Sequence, residues 1–210
     1  MSTAVCTILI PFRATSSHWH AIRAWQYGYL NSTYPHIPVI VADDGLTPDK
    51  PFNRSKALNR ARHKATTDWL WVLDTDTAPQ PGDLAHGLTT AHHHGWARIY
   101  ASALQLDQIG TAYVLAGKTT PHTWNALTRR GHALGVPLIH ADIWDSINGW
   151  DEQYTGWGYE DCDMTARLIT TTGTPPHPPL PDIRTLWHPR DYHARPTALN
   201  AERYTATHGR

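Results

Sequence analysis

Apolar runs and amphipathic stretches alternate through the first half of the chain. "AVCTILIPF", residues 4 to 12, is apolar, β-branched and closed by Pro11, the pattern of a strand covered on both faces. Residues 17 to 30 then place Trp19, Ile22, Trp25, Tyr29 and Leu30 at helical spacing behind a Ser16 or Ser17 cap. "IPVIVADDG", residues 37 to 45, predicts a second buried strand that closes on an Asp-rich turn. Residues 53 to 66 predict a helix with Ala57, Leu58, Ala61 and Ala65 on one face and basic side chains elsewhere. "WLWVLDTD", residues 69 to 76, predicts the third strand. After the break at Pro79, Pro81 and Gly82, "DLAHGLTTAHHHG" predicts a helix and "ARIYASALQL", residues 97 to 106, a single fourth strand. Such alternation argues an α/β fold with a mostly parallel central sheet flanked by helices.

The second half is looser. "HTWNALTRRGHALG" predicts a helix, and "PLIHADIWDSINGW" leads through strand or turn into "DEQYTGWGYEDCDMTARLI", whose acids open another helix. "TTTGTPPHPPLPD", residues 170 to 182, is too rich in proline for a regular element, and the tail from residue 195 is polar. With 210 residues the chain fits one domain: a front half to about 110, a back half from 111 to 195, and the tail 196 to 210.

Composition narrows the classes of function. Lys plus Arg and Asp plus Glu each total 18, so no overall field draws the protein to nucleic acid or an anionic membrane. Binding to either needs a local patch, for which Arg129, Arg130, Arg184, Arg190 and Arg195 are the candidates. Two cysteines make no disulfide framework, and neither a membrane-spanning run nor a signal peptide is visible, which together give the expectation of a soluble, cytoplasmic protein. Ten Trp and nine Tyr against two Phe favour rings with a polar handle, suited to a core or to stacking on sugars and bases.

In an open α/β sheet, ligands sit beyond the carboxyl ends of the strands, where this sequence repeatedly places acids. Asp43 and Asp44 follow one strand, and Asp74 and Asp76 follow another. Side chains two apart in an extended run point the same way, so Asp74 and Asp76 can reach one hard cation, Mg²⁺ or Mn²⁺, of the kind that bridges a diphosphate. The competing reading is a turn in which either acid caps the next segment. In "GWDEQYTGWGYEDCDMTARL", Trp150 and Trp157 between glycines suit the wall of a carbohydrate site, while Glu160, Asp161 and Asp163 read equally as acids at a helix start. His188, in "TLWHPRDYH", is a candidate metal ligand if the fold returns it to Asp76. No His/Cys spacing supports a separate zinc site.

Four ordered blocks, "ILIPFRATSSHW", "FNRSKALNRA", "WLWVLDTDTAPQPGD" and "SINGWDEQYTGWGYEDCD", resemble those of GT-A fold nucleotide-sugar glycosyltransferases. The likeness is greatest to the β-1,4-galactosyltransferase-like group, and the blocks are also similar to family 2 glycosyltransferases. Against that group's pattern, Tyr159 replaces a glycine, Cys162 replaces an acid, and the metal motif reads Asp-Thr-Asp rather than Asp-Val-Asp. The resemblance implies a metal-dependent, inverting hexosyltransferase with Mn²⁺ (or Mg²⁺) and a UDP-sugar donor. It implies Pro11 and Arg13 lining the nucleotide pocket, Asp43 or Asp44 near the uracil or ribose, and Arg54 near the diphosphate. Asp76 would coordinate the metal with His188, Asp74 would contact the ribose or a metal-bound water, and Trp157 would border both sugars. Glu160 would hold acceptor hydroxyls and Asp161 would be the catalytic base. The acceptor is a glycan, a small molecule or a modified DNA base. A non-catalytic sugar-binding module and a nucleotidyltransferase on a related fold are the alternatives.

Overall fold

A computed structural model describes residues 5–14, 16–174, 180–189 and 198–209, with the side chain of Arg130 outside that description. The central sheet runs in the order β2, β1, β3, β8, β5, where β1 is Cys6–Pro11, β2 Val39–Ala42, β3 Trp69–Val72, β5 Trp96–Arg98 and β8 Pro137–His140. β1 pairs in parallel with both β2 and β3, whereas β8 is antiparallel to β3 and to β5. The sheet is thus mixed: one reversed strand, β8, separates β5 from the parallel set.

Alternate residues of β1 and β3 supply two apolar layers. Ile8, Ile10 and Trp71 face one cluster with Leu30 of helix α1 (Ser17–Thr33) and Leu84 of α3 (Asp83–Ala91). Leu9, Leu70 and Val72 face another with Leu58 and Ala61 of α2 (Arg54–Arg62), Trp144 of α5 (Ala141–Ser146), and Met164 and Leu168 of α6 (Glu160–Thr172). Full burial on both sides explains why these strands read as unbroken apolar runs.

A second, smaller sheet runs β4 (Thr77–Ala78), β9 (Ile183–Thr185), β6 (Ser102–Leu106), β7 (Leu127–His132). α4 (Gln108–Leu115) links β6 to the segment before β7. Here two expectations fail. The run 97–106 is not one strand, because it leaves the central sheet at Arg98 and re-forms as β6 in the second. The predicted helix within "HTWNALTRRGHALG" is the strand β7, paired antiparallel with β6. The polar tail also acquires structure, as helix α7 (Ala198–His208).

Among the described residues, no helix is long and apolar enough to cross a membrane.

Candidate active site

Because β2, β1 and β3 are parallel and adjacent, their carboxyl ends lie side by side and present Asp43 and Asp44, Phe12 and Arg13, and Asp74 to Asp76 to one region. Pro11 closes β1, buried, and Thr75 donates to its carbonyl at 3.3 Å. Asp44 is fully buried and accepts from the Arg13 guanidinium and from the Asn53 amide, at 3.1 and 2.8 Å. Arg13 lies over the Phe52 ring at 5.4 Å and also donates to the Thr47 and Lys50 carbonyls. Asp44 therefore ties the β2 end to the start of α2, whereas Asp43 is more exposed, accepting from the Gly45 amide at 3.0 Å and lying 3.6 Å from Arg60.

Arg54, the first residue of α2, is held behind the Asn53 cap, whose side chain accepts from the Lys56 amide. Its guanidinium donates to Asp74 through Nε at 3.0 Å, to Asp161 through Nη1 at 2.9 Å and to the Gly135 carbonyl through Nη2 at 2.6 Å, and it stacks over Trp150 at 4.8 Å. Arg54 thus joins the two acid clusters that sequence reading kept apart. Its own charge is held more firmly than in water by Asp161, Asp74 and Glu160, in spite of burial.

Asp161 lies in the first turn of α6. Its side chain keeps 31 % exposure, yet desolvation by the surrounding protein, with Glu160 and Asp74 nearby, pushes its carboxyl up to about 7 against the opposing pull of Arg54. Glu160 is buried and accepts from the Gly158 amide at 2.9 Å. Burial raises its carboxyl too, with Arg54 opposing. Trp157, just before them, is 52 % exposed. Asp163 plays a different part, since it is buried against Arg167 and His208 and holds the helix in place.

On the metal side, His188 Nε2 lies 3.8 Å from Asp76 Oδ2, with the imidazole packed on Trp19 at 4.5 Å between ring centres. Burial, with Asp74 adding to it, pushes the Asp76 carboxyl up to about 6, and His188 opposes the shift. The fold therefore does return His188 to Asp76. Asp74 turns instead to Arg54, and the described residues contain no group of three or more His, Cys, Asp or Glu able to hold a metal ion. One carboxylate and one imidazole are of the chemistry that suits Mn²⁺ but would make only part of a ligand set, which oxygens of a donor diphosphate and water would have to complete.

Sequence reading missed several supporting residues. Gly135 passes so close to the site that a Cβ there would lie 2.7 Å from Asp161 Oδ2 and 3.1 Å from Arg54 Nη2. Asn59 accepts from the Trp150 amide and donates to its carbonyl, while Asn53 donates to the Glu152 carbonyl, so the asparagines of "FNRSKALN" pin the "GWDE" segment. Gln26, fully buried on α1, donates to the Asp74 and Thr77 carbonyls and sets the turn of the acid motif. The spacing of the two asparagines inside the resembling block was the one available signal. Of the basic patch, Arg129 and Arg184 sit on separate strands, β7 and β9, while Arg190, Arg195 and the Arg130 side chain fall outside the described residues.

A family model described as the N-terminal domain of galactosyltransferase matches residues 127–190. No curated protein matches the chain significantly. Among solved structures, a Drosophila β1,4-galactosyltransferase 7 mutant in complex with manganese, UDP-Gal and xylobiose aligns at TM-score 0.50 and 18% identity, over 93% of this chain and 75% of that one. Glucosyl-3-phosphoglycerate synthase from Mycobacterium tuberculosis, with Mn²⁺, UDP and phosphoglyceric acid, aligns at 0.54 and 13%, over 97% and 77%. The chain spans 65% of a third, the catalytic domain of the Drosophila enzyme with xylobiose, at TM-score 0.46 and 17% identity over 87% of this chain. This chain carries the GT-A fold of nucleotide-sugar glycosyltransferases, with a galactosyltransferase-like segment in its second half.

Proposed function

We propose that the protein is a metal-dependent, inverting glycosyltransferase that moves a hexose (Gal, Glc or HexNAc) from a UDP-sugar to an acceptor hydroxyl. The observation that carries this reading is the placement of Asp161. Its carboxyl lies in the first turn of the helix that follows the exposed Trp157 loop, is pushed up to about 7, and is linked through Arg54 to the turn bearing Asp74 and Asp76. A base near neutrality takes the proton of the acceptor hydroxyl as that oxygen attacks the anomeric carbon, on the side opposite the departing diphosphate. Glu160 orients the acceptor, and Trp157 offers a face for sugar packing. Arg54 fixes the Asp161 carboxylate and keeps it from pairing elsewhere. Asp76 and His188 would hold the divalent ion, which when bound supplies positive charge to the leaving diphosphate without a proton donor. Two structures that share the fold hold manganese with UDP-Gal or with UDP, which supports this choice of donor and ion.

The test is Mn²⁺-dependent turnover of UDP-sugars by the purified chain, reading UDP release. Asp76→Ala should remove turnover and Mn²⁺-dependent UDP binding together. Asp161→Asn should keep donor binding and lose turnover by at least about a hundredfold. Release of pyrophosphate in place of UDP, or equal loss of binding and turnover in Asp161→Asn, would overturn the assignment.

A further inference from the structure

The polar C-terminal helix lies against the segment that carries the proposed acceptor face. Asn200 is 2 % exposed, and its Nδ2 donates to the carbonyls of Thr155 and Gly158 at 3.1 and 3.0 Å, while its Oδ1 accepts from the Thr155 amide at 3.4 Å. One side chain thus brackets both ends of the loop in which Trp157 stands half exposed. Further along the helix, Arg203 donates twice to Asp151 Oδ2, at 2.8 and 2.5 Å, and lies over Tyr154 at 5.6 Å. Tyr204 packs on Tyr159 at 5.4 Å, and His208 meets Asp163 at 2.9 Å. Among the described residues the loop is also tied by the Gly156 amide, which donates to the Phe52 carbonyl at 3.2 Å, and by the Gly158 amide, which donates to Glu160 at 2.9 Å.

The loop has a physical need for such support. Gly156, Gly158 and Tyr159 adopt φ of +73°, +110° and +69°, conformations with no repeating hydrogen bonds of their own. An exposed indole on an unsupported loop of that kind samples many orientations, and a sugar-binding face needs one. We infer that α7, through Asn200, is the positioning element of the acceptor side: it fixes the Trp157 loop and thereby the geometry in which an acceptor sugar meets Asp161. This rests on the acceptor role proposed for Trp157. Asn200 itself touches no substrate and acts through the loop backbone.

The test uses the full chain labelled with 5-fluorotryptophan, the Trp157 resonance being assigned with Trp157→Phe. Asn200→Ala removes the bonds to Thr155 and Gly158, and Asn200→Asp, nearly identical in shape, sets carboxylate oxygens against the two carbonyls. In both, the Trp157 line should shift or broaden while the remaining tryptophan lines and UDP binding with Mn²⁺ hold. With UDP and Mn²⁺ saturating, p-nitrophenyl β-glycosides of xylose, glucose and N-acetylglucosamine are the acceptor probes. Any that moves the wild-type Trp157 line should need about tenfold more ligand in Asn200→Asp. An unchanged Trp157 line in both variants overturns the inference. A line that broadens in the variants but answers to no glycoside in the wild type removes the acceptor face, and with it the functional part of the inference, while leaving the metal and donor reading standing. Failure of the wild type to bind UDP with Mn²⁺ instead sinks the proposed function itself.

Discussion

Gly135 shows how narrowly the site is built. A methyl group at this position would meet Asp161 Oδ2 at 2.7 Å and Arg54 Nη2 at 3.1 Å, well inside normal contact. Gly135→Ala should therefore push Asp161 out of its bond with Arg54 and cut UDP-sugar turnover by about tenfold or more, with a smaller fall in melting temperature. A melting loss without a turnover loss would mean that the pair re-forms. Asp161 also predicts a pH dependence. Its carboxyl is raised from the ordinary 3.8 to about 7, chiefly by desolvation, so between those values the folded chain keeps a proton that the unfolded chain has lost. Stability from this group is thus greatest below about 4 and declines as pH rises towards 7. Asp161→Asn should melt higher than the wild type at pH 8, by a margin that shrinks to nothing near pH 4; a margin independent of pH would contradict it. Turnover moves the opposite way. A base must be ionised, so kcat/KM of the wild type should climb with pH and level off just above 7.

At the scale of elements, the junction before α6 is the most constrained. Tyr159 caps that helix with φ +69° and no side-chain capping bond, in the place where the resembling pattern has a glycine. A left-handed conformation costs a non-glycine residue roughly 1–2 kcal/mol, which here is offset in part by the packing of its ring on Tyr204. Tyr159→Ala keeps the strain and loses the ring, so it should destabilise by about 1 kcal/mol. Tyr159→Gly relieves the strain and should melt closer to the wild type. The reverse order of melting temperatures would show that the strain is not real. The same scale shows what sequence could and could not reveal. β1, β3 and the helices α1 and α2 were legible because the two layers bury β1 fully and β3 nearly so, and because Ser16 and Asn53 cap their helices locally; β2, only partly buried, was legible from its apolar run and the Asp-rich turn that closes it. β7 was misread as helix because its strand form comes from pairing with β6 rather than from its own alternation of apolar residues, and from Leu127 to Arg129 its side chains are exposed. α7 was not foreseen because its support is polar: Asn200, Arg203 and His208 hold it to Gly158, Asp151 and Asp163 without a broad apolar stripe. Asp74, Asp76, Asp161 and His188 were legible as candidates by residue type and order. That Arg54 would join Asp74 to Asp161 depended on approach between segments about a hundred residues apart, which no local pattern encodes.

For the whole molecule, the decisive feature is that the site has no single owner. The turn from β3 of the central sheet to β4 of the second supplies Asp76, the segment after β9 brings His188, α2 supplies Arg54 and α6 supplies Asp161. A ligand that spans these parts should tighten all of them at once, and its binding energy adds to stability as RT ln(1 + [L]/Kd). If, as proposed, a diphosphate enters beside Asp74 and Asp76, UDP alone meets repulsion from their carboxylates, while a divalent ion alone would find Asp76 and His188. Neither should shift the melting curve much by itself. Together, at about a hundred times their joint dissociation constant, they should add about 2.7 kcal/mol, which for a chain of this size raises the melting temperature by roughly 5–10 °C. Chelation with EDTA should return the curve to its starting point, and Asp76→Ala should abolish the joint shift while leaving the unliganded melting temperature close to that of the wild type or higher, because it removes a carboxylate that burial disfavours. Equal and additive shifts from UDP and Mn²⁺ taken separately would mean two independent sites, and the shared site described above would be wrong.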